Sequence, residues 1–410
     1  MQELLEKVKN SKVQIATMLP DKKSEILRDM AVALRKKTTE IIKANMQDIE
    51  YAKSANLSAS MVDRLLLDTK RIEAMAASIE IIAGLKEPVG RVLEGWQNPN
   101  GLRIEKVSVP IGVVCVIYES RPNVTSDVAA LCFKSGNACV LRGGKEAVNS
   151  NKIIAEILRG VLEVYGIARE AITLLPDISR EGVVSLVKED KYLDLIIPRG
   201  GEALIRVVND NATVPVVKHD KGLCHLYIDK DANDEMAISV AINAKTQRTG
   251  VCNAIETMLI HESKSELLTR LKKSFDEKRT LLKGCKKTRA IIDVVPVEDG
   301  DFDTEYLDNI LNIRVVSSID EALLHIQMHG SSHSEAIITE NYTSAERFLN
   351  EVDSACVYVN ASTRFTDGGE FGFGAEVGIS TNRLHSRGPM GINDLTTYKF
   401  KVYGNGQIRE

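Results

Sequence analysis

One thiol in this chain sits where a substrate can reach it. Cys252 lies in Thr246-Gln247-Arg248-Thr249-Gly250-Val251-Cys252-Asn253-Ala254, between an amphipathic helical stretch and an apolar run of strand character. Cations near a thiol favour the thiolate, and the thiolate is the form that attacks. The competing reading is a small buried apolar residue, the usual fate of a free Cys. On spacing alone Cys252 is a candidate nucleophile.

Two glycine turns suggest a second kind of chemistry. Leu141-Arg142-Gly143-Gly144-Lys145 closes a predicted strand and precedes a helix. Its glycines allow a tight turn, and its cations suit a nucleotide phosphate. Pro198-Arg199-Gly200-Gly201 repeats the design after Leu193–Ile197. Either turn alone also reads as a plain surface turn; two in one sheet carry more weight. Gly372-Phe373-Gly374-Ala375-Glu376-Val377-Gly378 is not a dinucleotide fingerprint, because its spacing is G-x-G-x-x-x-G and no strand leads directly into it. Its glycines suit a loop passing close to a ligand or another backbone.

His325, His329 and His333 recur at four-residue intervals, but Gly330-Ser331-Ser332 breaks the helix and no acidic residue completes a ligand set. No metal is expected there; His333 reads better as a donor to an anionic substrate. Val217-Lys218-His219-Asp220-Lys221-Gly222-Leu223-Cys224-His225 reads either as a solvated loop or as one approaching the thiol, with Asp220 or a His handling a proton.

These groups need elements to hold them. Apolar residues at helical spacing run through 2–84, with breaks at Pro20-Asp21 and Asn56-Leu57-Ser58. Strand pieces follow on either side of Pro110, then a helix near Thr125 and a strand at 138–141. Helix 151–164, strand 171–175, helix 180–188, strand 193–197 and a helix from Gly200 continue the alternation. A second block has helix 231–246, strand 254–260, helix 264–276, strands 290–294 and 313–316, helix 319–329, strand 336–339, helix 343–351 and strand 356–359. Alternation of this kind implies parallel sheets covered on both faces, with ligands beyond the carboxyl ends of the strands. Thr396–Tyr403 alternates like a strand and is expected to pair with the isolated stretch near 102–109 or with another subunit.

The bulk numbers agree with a folded, soluble protein. The chain has 410 residues, which implies two or three domains, with 44% hydrophobic and 27% charged residues. A net charge of -4 gives no support to nucleic acid or an anionic membrane as main partner. Seven scattered cysteines, none in a C-x-x-C pair, point to reduced thiols and the cytoplasm. The first residues, MQELLEKVKNSKVQ, carry no apolar signal core, and no run approaches the ~18 apolar residues that span a bilayer.

Four long segments, VPIGVVCVIYESRPNVTSDVAALCFKSGNACVLRGGKEA (109–147), AKTQRTGVCNAIETMLIH (244–261), HIQMHGSSHSEAI (325–337) and NASTRFTDGGEFGFGAEVGIST (360–381), together resemble the γ-glutamyl phosphate reductase family of the aldehyde dehydrogenase superfamily. The resemblance implies an α/β, aldehyde-dehydrogenase-like fold. It implies a Rossmann-type NADPH-binding domain (1–101 and 110–229), a catalytic domain with Cys252 (230–390), and a small β oligomerisation element (102–109 and 391–410). It implies NADPH-dependent reduction of L-glutamyl 5-phosphate to glutamate 5-semialdehyde in proline biosynthesis, with release of phosphate. The product would form through a Cys252 thioester, in a homo-oligomer coupled to the glutamate 5-kinase that makes the substrate. The N–H of Cys252 and the side chain of Asn253 are the implied oxyanion donors. Arg121, Arg248, Arg364 and Arg387, with His333, are candidates for the substrate's phosphate and carboxylate. Arg142, Gly143, Gly144, Lys145, Gly200, Gly201 and Glu305 are candidates for the cofactor, Arg142 and Lys145 holding a 2′-phosphate. Oxidising relatives carry Glu-Leu-Gly-Gly, whose Glu activates water, where this chain has Asp220-Lys221-Gly222-Leu223. Two alternatives stay open at this point: a related oxidoreductase using another acyl carrier such as coenzyme A, and a silent nucleotide-binding scaffold.

Overall fold

The computed structural model describes residues 1–217 and 221–409 of the chain. Two units divide it: Met1–His219 with Gly372–Gly378 and Met390–Glu410, and Asp220–Phe371 with Ile379–Pro389. The first crossing therefore falls at 219/220 and not at 229/230 as expected. The reason is the strand Cys224–Ile228, which pairs with Ile255–His261 and Ser334–Ile338 in the second unit.

The first unit opens with helices Gln2–Ala16, Pro20–Lys36, Thr38–Ser54, Ala59–Leu65 and Thr69–Gly84. Pro20 starts its helix, where its missing N–H costs nothing. Ser58 and Asp68 cap the fourth and fifth by accepting from the N–H groups of Met61 and Arg71. Their apolar faces, such as Ile26, Leu27, Met30, Ala31 and Leu34, join one core with the sheet beside them.

That sheet is parallel, in the order Ile172–Leu174, Ala138–Arg142, Val113–Tyr118, Leu195–Arg199. Val113–Tyr118 is buried at every position, which is why its sequence is an unbroken apolar run rather than an alternation. The helices Asn123–Lys134, Val148–Val164, Arg180–Leu186 and Glu202–Asn211 alternate with these strands. Asp48 accepts from the N–H groups of Asn149 and Ser150 and so caps Val148–Val164 from a distant helix.

A second, antiparallel sheet of the same unit joins Val92–Gln97, Arg103–Pro110 and Thr396–Tyr403. The tail pairs as expected, from Thr396 opposite Pro110 to Tyr403 opposite Arg103. Val92–Gln97 was not anticipated. It buries none of its residues and Gly95 interrupts its pattern, so it leaves no apolar signal.

The second unit is built on a parallel sheet in the order Val295–Pro296, Leu281–Gly284, Ile310–Val316, Ile255–His261, Cys224–Ile228, Ser334–Ile338, Cys356–Val359. The strand expected at 290–294 is absent: Ala290–Val294 is irregular, and Leu281–Gly284 and Val295–Pro296 take its place. Ile292 is buried in the unit's core, so its apolar character records packing and not strand pairing. Among the described residues no helix is long and apolar enough to cross a membrane.

Candidate active site

The helix Asp234–Thr246 aims the chain at Cys252. Asn233 caps its start, Asp234 and Glu235 sit in its first turn and Lys245 in its last, each sign where the helix dipole favours it. The chain then turns through 247–254, with the N–H of Ala254 on the carbonyl of Val251 at 3.1 Å, and enters the strand Ile255–His261. Cys252 is partly exposed in this turn, while Cys115, Cys132, Cys139, Cys224 and Cys356 are buried.

Gly222 packs directly against the nucleophile's backbone. A Cβ there would lie 2.0 Å from the Cys252 carbonyl oxygen and 2.5 Å from its Cα, so no side chain fits. The N–H of Gly222 donates to Glu305 at 3.0 Å, and that of Leu223 to Ser331 at 2.9 Å. Glu305 thus comes to the loop that touches Cys252. Asp220, the candidate proton handler, lies outside the described residues, as do Lys218 and His219.

Two cations stand by the turn. Arg364 donates to the Gln247 side chain at 2.9 Å, and Arg248 is exposed. Burial pulls the Arg364 guanidinium below its ordinary pKa, Arg248 adds to that, and an ionised Cys252 opposes it. A thiolate at Cys252 and the charge of Arg364 therefore attract one another.

Beneath the turn lies a buried polar network. The Cys224 thiol donates to the carbonyl of Cys252 at 3.1 Å and lies 3.5 Å from His333 Nδ1. His333 Nδ1 is 2.8 Å from Ser334 Oγ, which is 2.7 Å from Thr366 Oγ1. Asn253 donates to the carbonyl of Thr366 at 2.8 Å, and Thr363 donates to the carbonyl of Asn253 at 2.7 Å. Two expectations change here. His333 is fully buried, so it supports the turn from below rather than presenting a donor to substrate. The Asn253 amide donates to the Thr366 carbonyl and is only 5% exposed, so it anchors the turn. Sequence reasoning missed Cys224, Thr363 and Thr366: nothing in their spacing marks them, because each acts through a partner about 30 or more residues away.

In the second unit Arg387 donates to the carboxylate of Asp353 at 2.7 Å and to its carbonyl at 2.8 Å. Arg387 thereby forms an ion pair with Asp353, and its Nε–H has no acceptor.

In the first unit, Arg121 sits on the turn between Val113–Tyr118 and Asn123–Lys134, with Ser120 before it at φ 44°. Glu146 binds this turn, accepting from both the N–H and the hydroxyl of Ser120 at 2.6 and 2.8 Å. Gly143 allows close packing, since a Cβ would meet Asn151 at 2.1 Å, and Gly144 faces Glu146. Arg142 is buried and donates to the carbonyls of Ile178 and Ser179, while its Nε has no acceptor; Lys145 is exposed. The anion site expected at Gly200-Gly201 is already filled. The Glu119 carboxylate accepts from the Gly201 N–H at 2.9 Å, at the start of the helix Glu202–Asn211. Among the described residues no group of His, Cys, Asp and Glu can hold a metal. Arg314 donates to His325 Nδ1 at 3.3 Å, and His329 pairs with Asp303 at 2.8 Å.

The model of the aldehyde dehydrogenase family matches residues 1–287. A γ-glutamyl phosphate reductase from Nautilia profundicola is 61% identical over all of both chains. A crystal structure of a γ-glutamyl phosphate reductase from Thermotoga maritima superposes with a TM-score of 0.98 at 46% identity, over 100% of this chain and 99% of that one. An acetylating aldehyde dehydrogenase from Geobacillus thermoglucosidasius matches at a TM-score of 0.70 and 18% identity, over 100% of this chain and 97% of that one, and shares the fold.

Proposed function

Because the chain belongs to the aldehyde dehydrogenase family, and within it to the γ-glutamyl phosphate reductases, we propose that it reduces L-glutamyl 5-phosphate to L-glutamate 5-semialdehyde in proline biosynthesis. It releases phosphate, uses NADPH, and works through a thioester on Cys252, in the cytoplasm. The observation that carries this reading is a partly exposed Cys252 on a turn where Arg364 donates to Gln247 and Arg248 is exposed, tied down from below by Cys224.

An acyl phosphate is an activated acyl donor. The Cys252 sulfur forms a bond to the acyl carbon, the carbon–oxygen bond to phosphate breaks, and phosphate leaves with the electron pair. The N–H of Cys252 donates to the oxyanion on the way. Arg248 and Arg364 face the phosphate and carboxylate charges. Asp220 stands where oxidising relatives carry the Glu that activates water, and a protein that must hand its acyl group onward has no use for that Glu.

The first unit fits a phosphorylated nicotinamide nucleotide. Arg142 keeps a buried Nε–H without an acceptor, and Lys145 is exposed just beyond it. These two would hold the 2′-phosphate, with Gly143 and Gly144 shaping the turn. When bound, the nucleotide supplies the hydride that takes the acyl group to the aldehyde level. The sheet of Val92–Gln97, Arg103–Pro110 and Thr396–Tyr403 serves self-association, since Trp96, Tyr398, Phe400 and Val402 are exposed on it.

The test is oxidation of glutamate 5-semialdehyde by the purified protein with NADP⁺ and phosphate. Turnover is expected to require phosphate or arsenate and to fall when NAD⁺ replaces NADP⁺. Turnover without either oxyanion, or with coenzyme A in their place, contradicts the reading.

A further inference from the structure

The peptide groups on the carboxyl side of Cys252 are held from below by side chains. The Cys252 carbonyl accepts from the Cys224 thiol at 3.1 Å. The Asn253 carbonyl accepts from the Thr363 hydroxyl at 2.7 Å, and the Asn253 amide donates to Thr366 at 2.8 Å. Cys224, His333, Ser334 and Thr366 link these anchors into one buried chain, each at 0% exposure. Tyr358 extends it, 2.7 Å from Thr366 Oγ1. Cys224 also marks an irregularity in the sheet. It pairs with Ile255, but the register shifts between Cys224 and His225, just where the nucleophile's turn enters its strand. A bulge of this kind re-aims the residues beside it and needs a fixed point.

We propose that Cys224 is a positioning residue for the reaction: its S–H, donated to the Cys252 carbonyl, fixes the peptide that orients the nucleophilic sulfur and the N–H facing the oxyanion. The inference rests on the proposed role of Cys252 and adds to it a second thiol with a different task. That task requires the proton to stay in place. A thiolate at Cys224 would set a negative charge against the carbonyl and oppose ionisation of Cys252. The surroundings prevent this, since burial foremost, then Glu335 and Cys252, push the Cys224 thiol well above its ordinary range. The two thiols are thus divided in chemistry, one partly exposed beside cations and one sealed as a donor. His333 Nδ1 packs against the Cys224 sulfur at 3.5 Å.

Serine and alanine at 224 are close in size, and only serine keeps a donor. In the glutamate 5-semialdehyde assay, C224S is expected to hold kcat within about threefold of the native protein, and C224A to lose about tenfold in kcat with KM within about twofold. Alkylation of Cys252 by iodoacetamide, mapped by peptide mass, should slow in C224A and shift to higher pH, and recover in C224S. Equal behaviour of C224A and C224S in turnover and alkylation overturns the proposal. Should C224A fail to fold, the native protein decides: Cys224 must stay unlabelled while Cys252 reacts, and labelling of both at similar rates overturns it. The alkylation readout needs no substrate, so it stands or falls apart from the choice of acyl phosphate. Activity surviving in C252A would instead strike the proposed function itself.

Discussion

At the scale of residues, the site depends on contacts too close for substitution. Gly222 is the clearest case, because its missing side chain is what lets the loop lie against the backbone of Cys252. In G222A the added carbon meets backbone atoms that cannot swing aside, so the nucleophile's turn must move. A displacement of about 1 Å at a reacting atom costs about a hundredfold in rate. G222A is therefore expected to lose about a hundredfold in kcat while still binding nucleotide in the first unit, read by fluorescence titration. Near-native kcat in G222A would show that the close approach is incidental. The place of Cys252, on a turn between a helix and a strand with cations beside it, was legible in the sequence. In the sequence Asn253 reads as an oxyanion donor and His333 as a donor to an anionic substrate, and neither as a support of the turn. Their roles follow from Thr366 and Cys224, which only the fold brings to them.

At the scale of elements, the nucleophile's turn is a short bridge between a helix and a strand, and a buried ion pair ties its two ends. Lys245, in the last turn of Asp234–Thr246, reaches Glu256, at the start of Ile255–His261, at 2.8 Å with both side chains almost fully buried. Burial pushes Glu256 up to about 7, against the pull of Lys245, and pulls Lys245 down. An unfolded Glu titrates near 4.3, so above that value the unfolded chain holds fewer protons than the folded one and stability declines as pH rises toward 7. Removing the lysine worsens this, since nothing then opposes the burial of the carboxylate. K245M is expected to be destabilised by roughly 3 to 5 kcal/mol at pH 8 and by less at pH 5, measured by urea unfolding. A gap that narrows as pH rises would contradict the assignment. Most helices and strands were readable from periodicity, because buried parallel strands are continuous apolar runs. The errors came where that link fails: Val92–Gln97 buries nothing, and Ile292 is buried without being in a strand.

At the scale of the whole molecule, each unit has its own parallel sheet and its own candidate chemistry. The first carries Arg142 and Lys145 at the carboxyl end of a parallel sheet, and its Gly200-Gly201 turn is closed by Glu119. The second carries Cys252 and its supports. The sequence places the boundary after 229 and the contacts place it before Cys224–Ile228, because that strand follows the first block in order while its partners Ile255–His261 and Ser334–Ile338 come later in the chain. Pairing order in a parallel sheet is not written in local pattern.

The account turns on covalent acylation of one sulfur. The most direct measurement is the intact mass of the full chain, quenched in acid during turnover of glutamate 5-semialdehyde with NADP⁺ and limiting phosphate, followed by peptide mapping. A glutamyl adduct on the peptide containing Cys252, lost when phosphate is restored and absent in C252A, is the predicted result. An unmodified Cys252 peptide throughout turnover, or an adduct on any other residue, contradicts the account.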